Sequence, residues 1–355
     1  MGLLTTCTQL PCLVLIVYMM CPPILLYLPC SSNLPHAFKC ADFLAGPVST
    51  VVMLTFSARI NMWSSVVIVA VLYICVSNMI RFLRMRKMHS EFGYTTRGSL
   101  AKMSIGDAQK IQKYLFRLEF PFTTQKALEF ALFRTYGIPS ISSLLVHTTQ
   151  LSDPLSASKR VEDTKILVAE FLAQAPSSDR ALSAIARMNY IHSLYQKSGR
   201  ISNYDMLYTL SLFALEPIRW VDRYEWRNLT DMEKCAIGVF WKAMGDAMKI
   251  DFKAITPAPA GWQDGLAWLS ELESWSIAYE RECMVPDVNN KKTADQTTSI
   301  LLWRVPTLLR GLGLQAVSAL MDTRLRKAMM FYYPVHRTTR DVADAGKGTY
   351  RPVRL

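Results

Sequence analysis

The sequence predicts an all-α protein: one helical globular domain behind an N-terminal transmembrane helix. Three observations carry this. From Trp63 to Ile80 runs WSSVVIVAVLYICVSNMI, an apolar stretch long enough to cross a hydrocarbon core. Beyond it, apolar residues recur at helical spacing, while period-two alternation and β-branched runs are scarce. Finally, Pro121, Pro139, Pro154, Pro176, Pro217, Pro257, Pro286 and Pro306 cut the remainder into helix-sized segments.

The composition agrees with a membrane-associated helical protein. Of 355 residues, 51% are hydrophobic and 19% charged, more apolar than an ordinary soluble chain. The net charge of +12 is spread along the helices with no aromatic-interleaved basic motif. Nucleic acid is therefore excluded as the partner, and an anionic membrane surface is the simpler one. Beyond the first quarter the only cysteines are Cys235 and Cys283, so the globular part has neither a disulfide framework nor a CxxC metal site.

In chain order, residues 1–62 form a hydrophobic extension of open character. Its apolar run Cys12 to Leu28 is broken by Pro22 and Pro23 and lacks a preceding basic region, so it fits an atypical signal, a second span or a re-entrant piece. The opening MGLLTT, with Cys7 beside it, matches a short myristoylation pattern. The anchor at 63–80 is followed at once by Arg81, Arg84, Arg86 and Lys87, whereas residues 1–62 carry only Lys39 and Arg59. That asymmetry places the part after the anchor in the cytosol. The sequon Asn228-Leu229-Thr230 would count only in the lumen, and the charge asymmetry outweighs it. The catalytic-size domain is expected over 88–333, and a basic disordered tail over 334–355.

Within the domain, helices are expected at 104–118, 123–134, 139–148, 158–174, 178–197, 203–215, 229–249, 262–282, 293–304 and 306–330, with loops at 250–260 and 285–292. The 178–197 helix has Ser177 or Ser178 as its N-cap, Asp179 in its first turn and Gly199 as its stop. Leu182, Ile185, Asn189 and His192 follow at spacings of three, four and three and share one face. A histidine there needs a partner for each ring nitrogen, and iron is one such partner. A core histidine bonded to a carbonyl or a carboxylate satisfies the same pattern. In the 158–174 helix, Arg160, Thr164, Leu167 and Phe171 share a face, placing a guanidinium and a hydroxyl among apolar residues. A buried anion or ligand would satisfy that pair, as would Arg160 reaching to water and Thr164 bonding to its own helix.

Among the other histidines, His89 is juxtamembrane, His336 lies in the tail and His147 falls at a helix C-terminus, where the dipole favours it without any ligand. A non-haem iron site of His147, His192 and Asp163 or Asp205 is the competing metal arrangement. Arg187 stands well around the helix from His192 and is expected to pair with a neighbouring helix. Trp220, Tyr224, Trp226, Phe240 and Trp241 fit either plain core or the lining of a channel for a prenyl chain. Arg219, Arg223 and Arg227 with Asp222 and Glu225 are expected to form surface or inter-helix pairs, Lys242 with Asp246 a solvated one, and Arg324 and Arg326 with Asp322 another.

Several strings taken together carry a resemblance. FALFRTYGIPSIS (Phe130 to Ser142), Arg160-x-x-Asp163-Thr164, Arg187-x4-His192-Ser193-x-Tyr195, DMLYTLSLFALEPIRW, EWRNLTDMEKCAIGVFWKAMGDA and MDTRLRKAM are similar to the fungal endoplasmic-reticulum-bound oxygenases that shorten the farnesyl chain in mycophenolic acid biosynthesis. The similarity runs from Glu91 to Met330. That group more remotely resembles the catalytic domain of the bacterial rubber oxygenase, or latex-clearing protein. The resemblance implies a haem b cofactor with His192 as its proximal ligand, Arg160 and Thr164 near the haem, Asn189 in contact with the porphyrin or its surroundings, and O2 as co-substrate. It implies oxidative cleavage of a C=C bond in an apolar isoprenoid-type molecule, giving carbonyl products. It also implies an endoplasmic reticulum membrane location. Two positions depart from the rubber oxygenase: Asp163 replaces a distal lysine, and Ile138 aligns with a glutamate proposed as base. These departures, and a tail that leaves the fungal pattern after Met330, motivate the alternative of a non-catalytic membrane-tethered helical protein.

Overall fold

In a computed structural model the structure describes residues 62–148, 154–255 and 261–331, without the side chains of 62–65, 154–158, 160 and 161. Residues 1–61 and the tail, with the expectations placed on them, lie outside the described residues. The described residues fall into two units, 62–86 and 87–331. All regular structure in them is helical, as the proline-punctuated pattern predicts.

In the first unit, α1 (Met62–Ile80) is a helix long and apolar enough to cross a membrane, and its Val, Ile, Leu and Tyr side chains face outward. Such exposure is costly in water and matches the solvent to a hydrocarbon core. Beyond a turn at Arg81 and Phe82, α2 (Leu83–Phe92) carries the chain into the second unit.

The second unit is built around α9 (Asn203–Tyr224), which is buried along most of its length. Its start is a capping box in which Ser202 and Asp205 satisfy each other's backbone N–H groups. It packs against α5 (Pro121–Thr135), α10 (Asp231–Ala247) and α11 (Gly265–Cys283). In turn α10 packs on α4 (Ile105–Tyr114), which a single π turn, Leu115–Glu119, extends. The crossing of α10 and α11 is tight because Gly238 and Gly265 face each other backbone to backbone, and a Cβ on either would collide with the other's neighbourhood. Short α3 (Arg97–Leu100), α6 (Pro139–His147), α12 (Val288–Leu301), a 3₁₀ turn (Thr307–Leu309), α13 (Arg310–Leu320) and α14 (Thr323–Ala328) close the remaining sides.

Three boundaries differ from those expected, each for a physical reason. The 203–215 helix continues through Pro217 to Tyr224. A proline within a helix costs about 3 kcal/mol, yet the next turn buries Ile218, Trp220 and Val221, each contributing roughly 1.5–3 kcal/mol. The expected loop at 285–292 instead opens α12, because Asp287 caps the Asn289 N–H at 2.7 Å and Asn290 is fully buried. Its amide donates to the Gly137, Val285 and Ala328 carbonyls and its oxygen accepts from Ser142 Oγ, pinning α6, α12 and α14 together. The single helix expected at 306–330 divides at Met321, because Asp322 is an N-cap receiving the Leu325 N–H at 2.9 Å.

Candidate functional site

The candidate residues lie on one helical hairpin. Its arms α7 (Pro154–Ala173) and α8 (Asp179–Lys197) pack against each other across the turn at Pro176. Ser178 caps α8 through the Ala181 N–H, and Gly199, at φ +69°, ends it, as the sequence signals predict. Positions 160 and 192 are equidistant from Pro176, so the antiparallel arms bring them to one level, with Thr164 one turn nearer the turn. The Arg160 side chain itself is outside the described residues.

His192 is half-buried, and its Nδ1 is wholly shielded from solvent. The buried stripe of α8 centres on Ala181 and Ala184, with Ile185, Met188 and His192 at its edge. Leu182, expected on the same face, is 52% exposed. The buried stripe is thus rotated relative to the expected one. Asn189 donates from Nδ2 to the Ala247 carbonyl at 2.9 Å, tying α8 to the end of α10. That bond uses one of the two amide N–H groups of Asn189.

Thr164 and Leu167 are half-buried, while Phe171 is buried edge-on to Trp241 at 6.1 Å, and Gln109 of α4 donates to the Leu172 carbonyl at 3.2 Å. Trp241 also stacks on Phe213 at 5.2 Å. Its indole Nε1 is buried without a hydrogen-bond partner among the described residues. Such a buried donor is uncommon and costs on the order of 1–3 kcal/mol. An open surface groove on the hairpin is lined by Leu167, Glu170, Ala184 and Arg187, with the Arg180–Glu170 ion pair at 2.6 Å beside it. Arg187, expected to pair with another helix, lies 5.7 Å over the ring of Tyr190 on its own helix.

The competing iron arrangement does not assemble. His147 is exposed at the end of α6, and Asp163 is exposed on α7. Asp205 is buried and saturated: Oδ1 accepts from Ser140 Oγ at 2.6 Å and Tyr279 OH at 3.1 Å, and Oδ2 from Ser202 Oγ at 2.7 Å. Among the described residues no group of three or more His, Cys, Asp and Glu side chains converges as a metal ion would need. A haem makes a smaller demand on the protein, since the porphyrin supplies four nitrogen ligands and the chain only an axial one. His192, half-buried at the edge of the α8 stripe, is an imidazole of the type such a group needs.

Many of the motif residues prove to be clamps. Arg134 of the FRTYG string is 2% exposed and grips Glu280 bidentately, Nε to Oε1 at 2.8 Å and Nη2 to Oε2 at 2.7 Å, while its Nη1 donates to Asp322 at 2.5 Å. Tyr208 adds its hydroxyl to Glu280 at 3.0 Å. Arg219 bridges Glu216 and Glu273, and Arg227 bridges Glu119 and Glu233, both sets nearly devoid of solvent. Arg219 and Arg227 do reach across to other helices, but not to the expected acids: Asp222 pairs with Lys234, and Glu225 accepts from Thr123 Oγ1. Asp322 likewise leaves Arg324 and Arg326 for the buried Arg134. The aromatic set also divides, with Phe240 and Trp241 buried, Trp220 against Phe130 at 5.3 Å, and Tyr224 and Trp226 40% or more exposed.

Burial alone would raise the Asp322 carboxyl, but the Arg134 guanidinium and the Leu325 and Arg324 amides outweigh it and hold it below the ordinary carboxylate range. A lowered acid stabilises the fold above its unfolded pKa of about 3.9, and that stabilisation is lost as pH falls through the folded value. Asp322→Asn keeps the helix cap and loses the charge. The difference in melting temperature between wild type and Asp322→Asn is therefore expected to be largest near neutrality and to shrink below about pH 4. A pH-independent difference would mean that the carboxylate charge contributes nothing.

The described residues define an all-helical protein with one helix long and apolar enough to cross a membrane. No family model matches the chain. It is 44% identical over 276 residues to the ER-bound oxygenase mpaB of Penicillium roqueforti (strain FM164), an alignment covering 78% of this chain and 93% of that protein. It is also 46% identical over 255 residues to the ER-bound oxygenase mpaB' of Penicillium brevicompactum, and 46% identical over 223 residues to mpaB of the same species. Those alignments cover 72% and 63% of this chain and 60% and 57% of the relatives. The chain spans nearly all of the first relative and under two thirds of the other two. It belongs to the mpaB family of oxygenases, and the non-catalytic alternative gives way to an enzyme.

Proposed function

We propose that this oxygenase works with a haem b ligated by His192 and uses O2 to cleave a C=C bond of an isoprenoid-type side chain, at the endoplasmic reticulum membrane with its globular unit in the cytosol. The observation that carries the reading is His192 itself, an imidazole with a shielded ring nitrogen, level with position 160 on a hairpin, in a chain whose alternative three-ligand site is absent among the described residues. The relatives' names support the membrane and the oxygen chemistry, and the basic run Arg81 to Lys87 supports the orientation.

When bound, the haem supplies the iron at which O2 is activated toward the double bond. The protein's part is to hold and shield. His192 would bind the haem iron through an unprotonated ring nitrogen, and its Nδ1 is shielded from solvent. The Asn189 bond to Ala247 and the packing of Phe171 on Trp241 brace the two arms against α10, so the imidazole is positioned from both helices. The Trp241 N–H, buried beside Phe171, is a donor for a polar group that a ligand brings. Half-buried Leu167, Ile185 and Met188 keep water from the intervening space and suit an apolar substrate.

The test is an absorption spectrum of the purified full chain in detergent, reduced, with and without CO. A Soret band that shifts on CO is the expected result. Folded, colourless protein containing stoichiometric iron would move the reading to a non-haem centre, and folded protein without either would remove the cofactor proposal altogether.

A further inference from the structure

Between α12 and α13 the chain turns its largest apolar side chains outward. Leu301 is 50% exposed, Trp303 74%, Leu308 91% and Leu312 45%. The local cause is Pro306, which cannot continue α12 and redirects the chain through the 3₁₀ turn before α13 begins. Leu302, only 4% exposed, roots the knuckle in the core, so its exposed neighbours are presented on a fixed base. Soluble surfaces rarely gather so many large apolar groups within one short segment, and such a patch marks a docking surface.

The charges identify what docks. From Gln296 to Met321 there is no acidic residue, and Arg304 and Arg310 are the only charged ones. Both are exposed, and Arg310 is held on the knuckle by its Nε bond to the Val305 carbonyl at 3.2 Å. Tryptophan and leucine flanked by arginine, without a carboxylate, complement the layered chemistry of a bilayer: an apolar layer beneath anionic phosphates. A protein partner would ordinarily be met by charges of both signs at the rim. The chain also supplies the encounter, since α1 tethers the globular unit to a membrane and raises the effective concentration of lipid at its surface.

We propose that the knuckle 301–312 inserts into the headgroup boundary of an anionic membrane, Trp303 and Leu308 entering the apolar layer and Arg304 and Arg310 pairing with lipid phosphates. This is a second membrane contact, made by the globular unit and independent of the chemistry at His192. It would bring the enzyme's body onto the phase in which an apolar substrate dissolves.

Full-length protein with the photoreactive amino acid benzoylphenylalanine at position 303 or 308, and separately at exposed Tyr190 as a control, is reconstituted into phosphatidylcholine vesicles with or without phosphatidylserine. After irradiation the adducts are identified by mass. Phospholipid adducts at 303 and 308 in excess of those at 190, falling on the order of tenfold in an Arg304→Gln/Arg310→Gln background on anionic vesicles, are expected. An unchanged circular dichroism melt shows that the labelled chains are folded. An adduct with a second copy of the chain, one with another segment of the same chain, or a lipid yield no greater than at 190 would each overturn the proposal.

Discussion

Arg134→Ala is expected to destabilise the globular unit by about 3–5 kcal/mol. The side chain is 3% exposed and its bidentate partner, the Glu280 carboxylate, 7%. Forming this pair takes both charges out of water, and the pair's attraction only offsets that cost. Removing one partner leaves the other's cost uncompensated, which is why the loss exceeds anything a surface ion pair contributes. Asp322 loses a ligand in the same step, and the Tyr208 hydroxyl is left donating to a carboxylate with no counter-charge. Burial and the nearby Glu280 charge push that phenol well above its usual pKa, so it stays a neutral donor and cannot replace the guanidinium's charge. A control separates charge from packing: Arg134→Met with Glu280→Gln removes both charges and keeps most of the volume, and is expected to recover a substantial part of the loss. Denaturant titration in detergent reads both variants. If Arg134→Ala unfolds at the wild-type midpoint, the clamp does not hold α5, α11 and the α14 cap together.

That clamp also shows where the sequence is legible and where it is not. Signals that act within one turn are readable from the chain. Ser178 and Gly199 mark the ends of α8 because their partners are only three residues away. The partners of Arg134 lie at positions 280 and 322, those of Arg227 at 119 and 233, and no local pattern pairs them. For the same reason Asp322 reads as a neighbour of Arg324 when its carboxylate belongs to α5. Pro217 illustrates the reverse error, a strong local signal overruled by burial in the next turn. At the candidate site, the spacing from Arg160 to His192 is legible as a hairpin. The rotation of α8, which buries Ala181 and Ala184 and turns Leu182 outward, belongs to tertiary packing and is not legible in the spacing. Trp241 stands in the sequence as one of five aromatic residues. Only its packing between Phe171 and Phe213, with an unanswered N–H, distinguishes it from the rest.

His192→Ala is expected to abolish the porphyrin absorbance of the purified chain and lower turnover of an isoprenoid-type substrate by more than about 100-fold, since even groups that only orient a metal's ligand cost 10–100-fold when removed. The substitution should leave the fold standing. The ring is half-buried at the edge of the α8 stripe, the hairpin is held by Phe171 on Trp241 and by Asn189 on Ala247, and alanine is a strong helix former. A melting temperature of the cofactor-free variant close to that of cofactor-free wild type is therefore part of the prediction. His192→Gly supplies the decisive arm, because it leaves a hole the size of the lost ring. Free imidazole should enter that hole and restore both the absorbance and a measurable fraction of turnover, whereas a purely structural histidine would be indifferent to it. His147→Ala is the matched control: it removes an exposed imidazole from the C-terminus of α6 and should change neither readout. If His192→Ala retained the full spectrum, the ligand would have to come from another residue. If His147→Ala abolished it, the axial nitrogen would belong to α6, and the hairpin's role would shrink to covering one face of the cofactor.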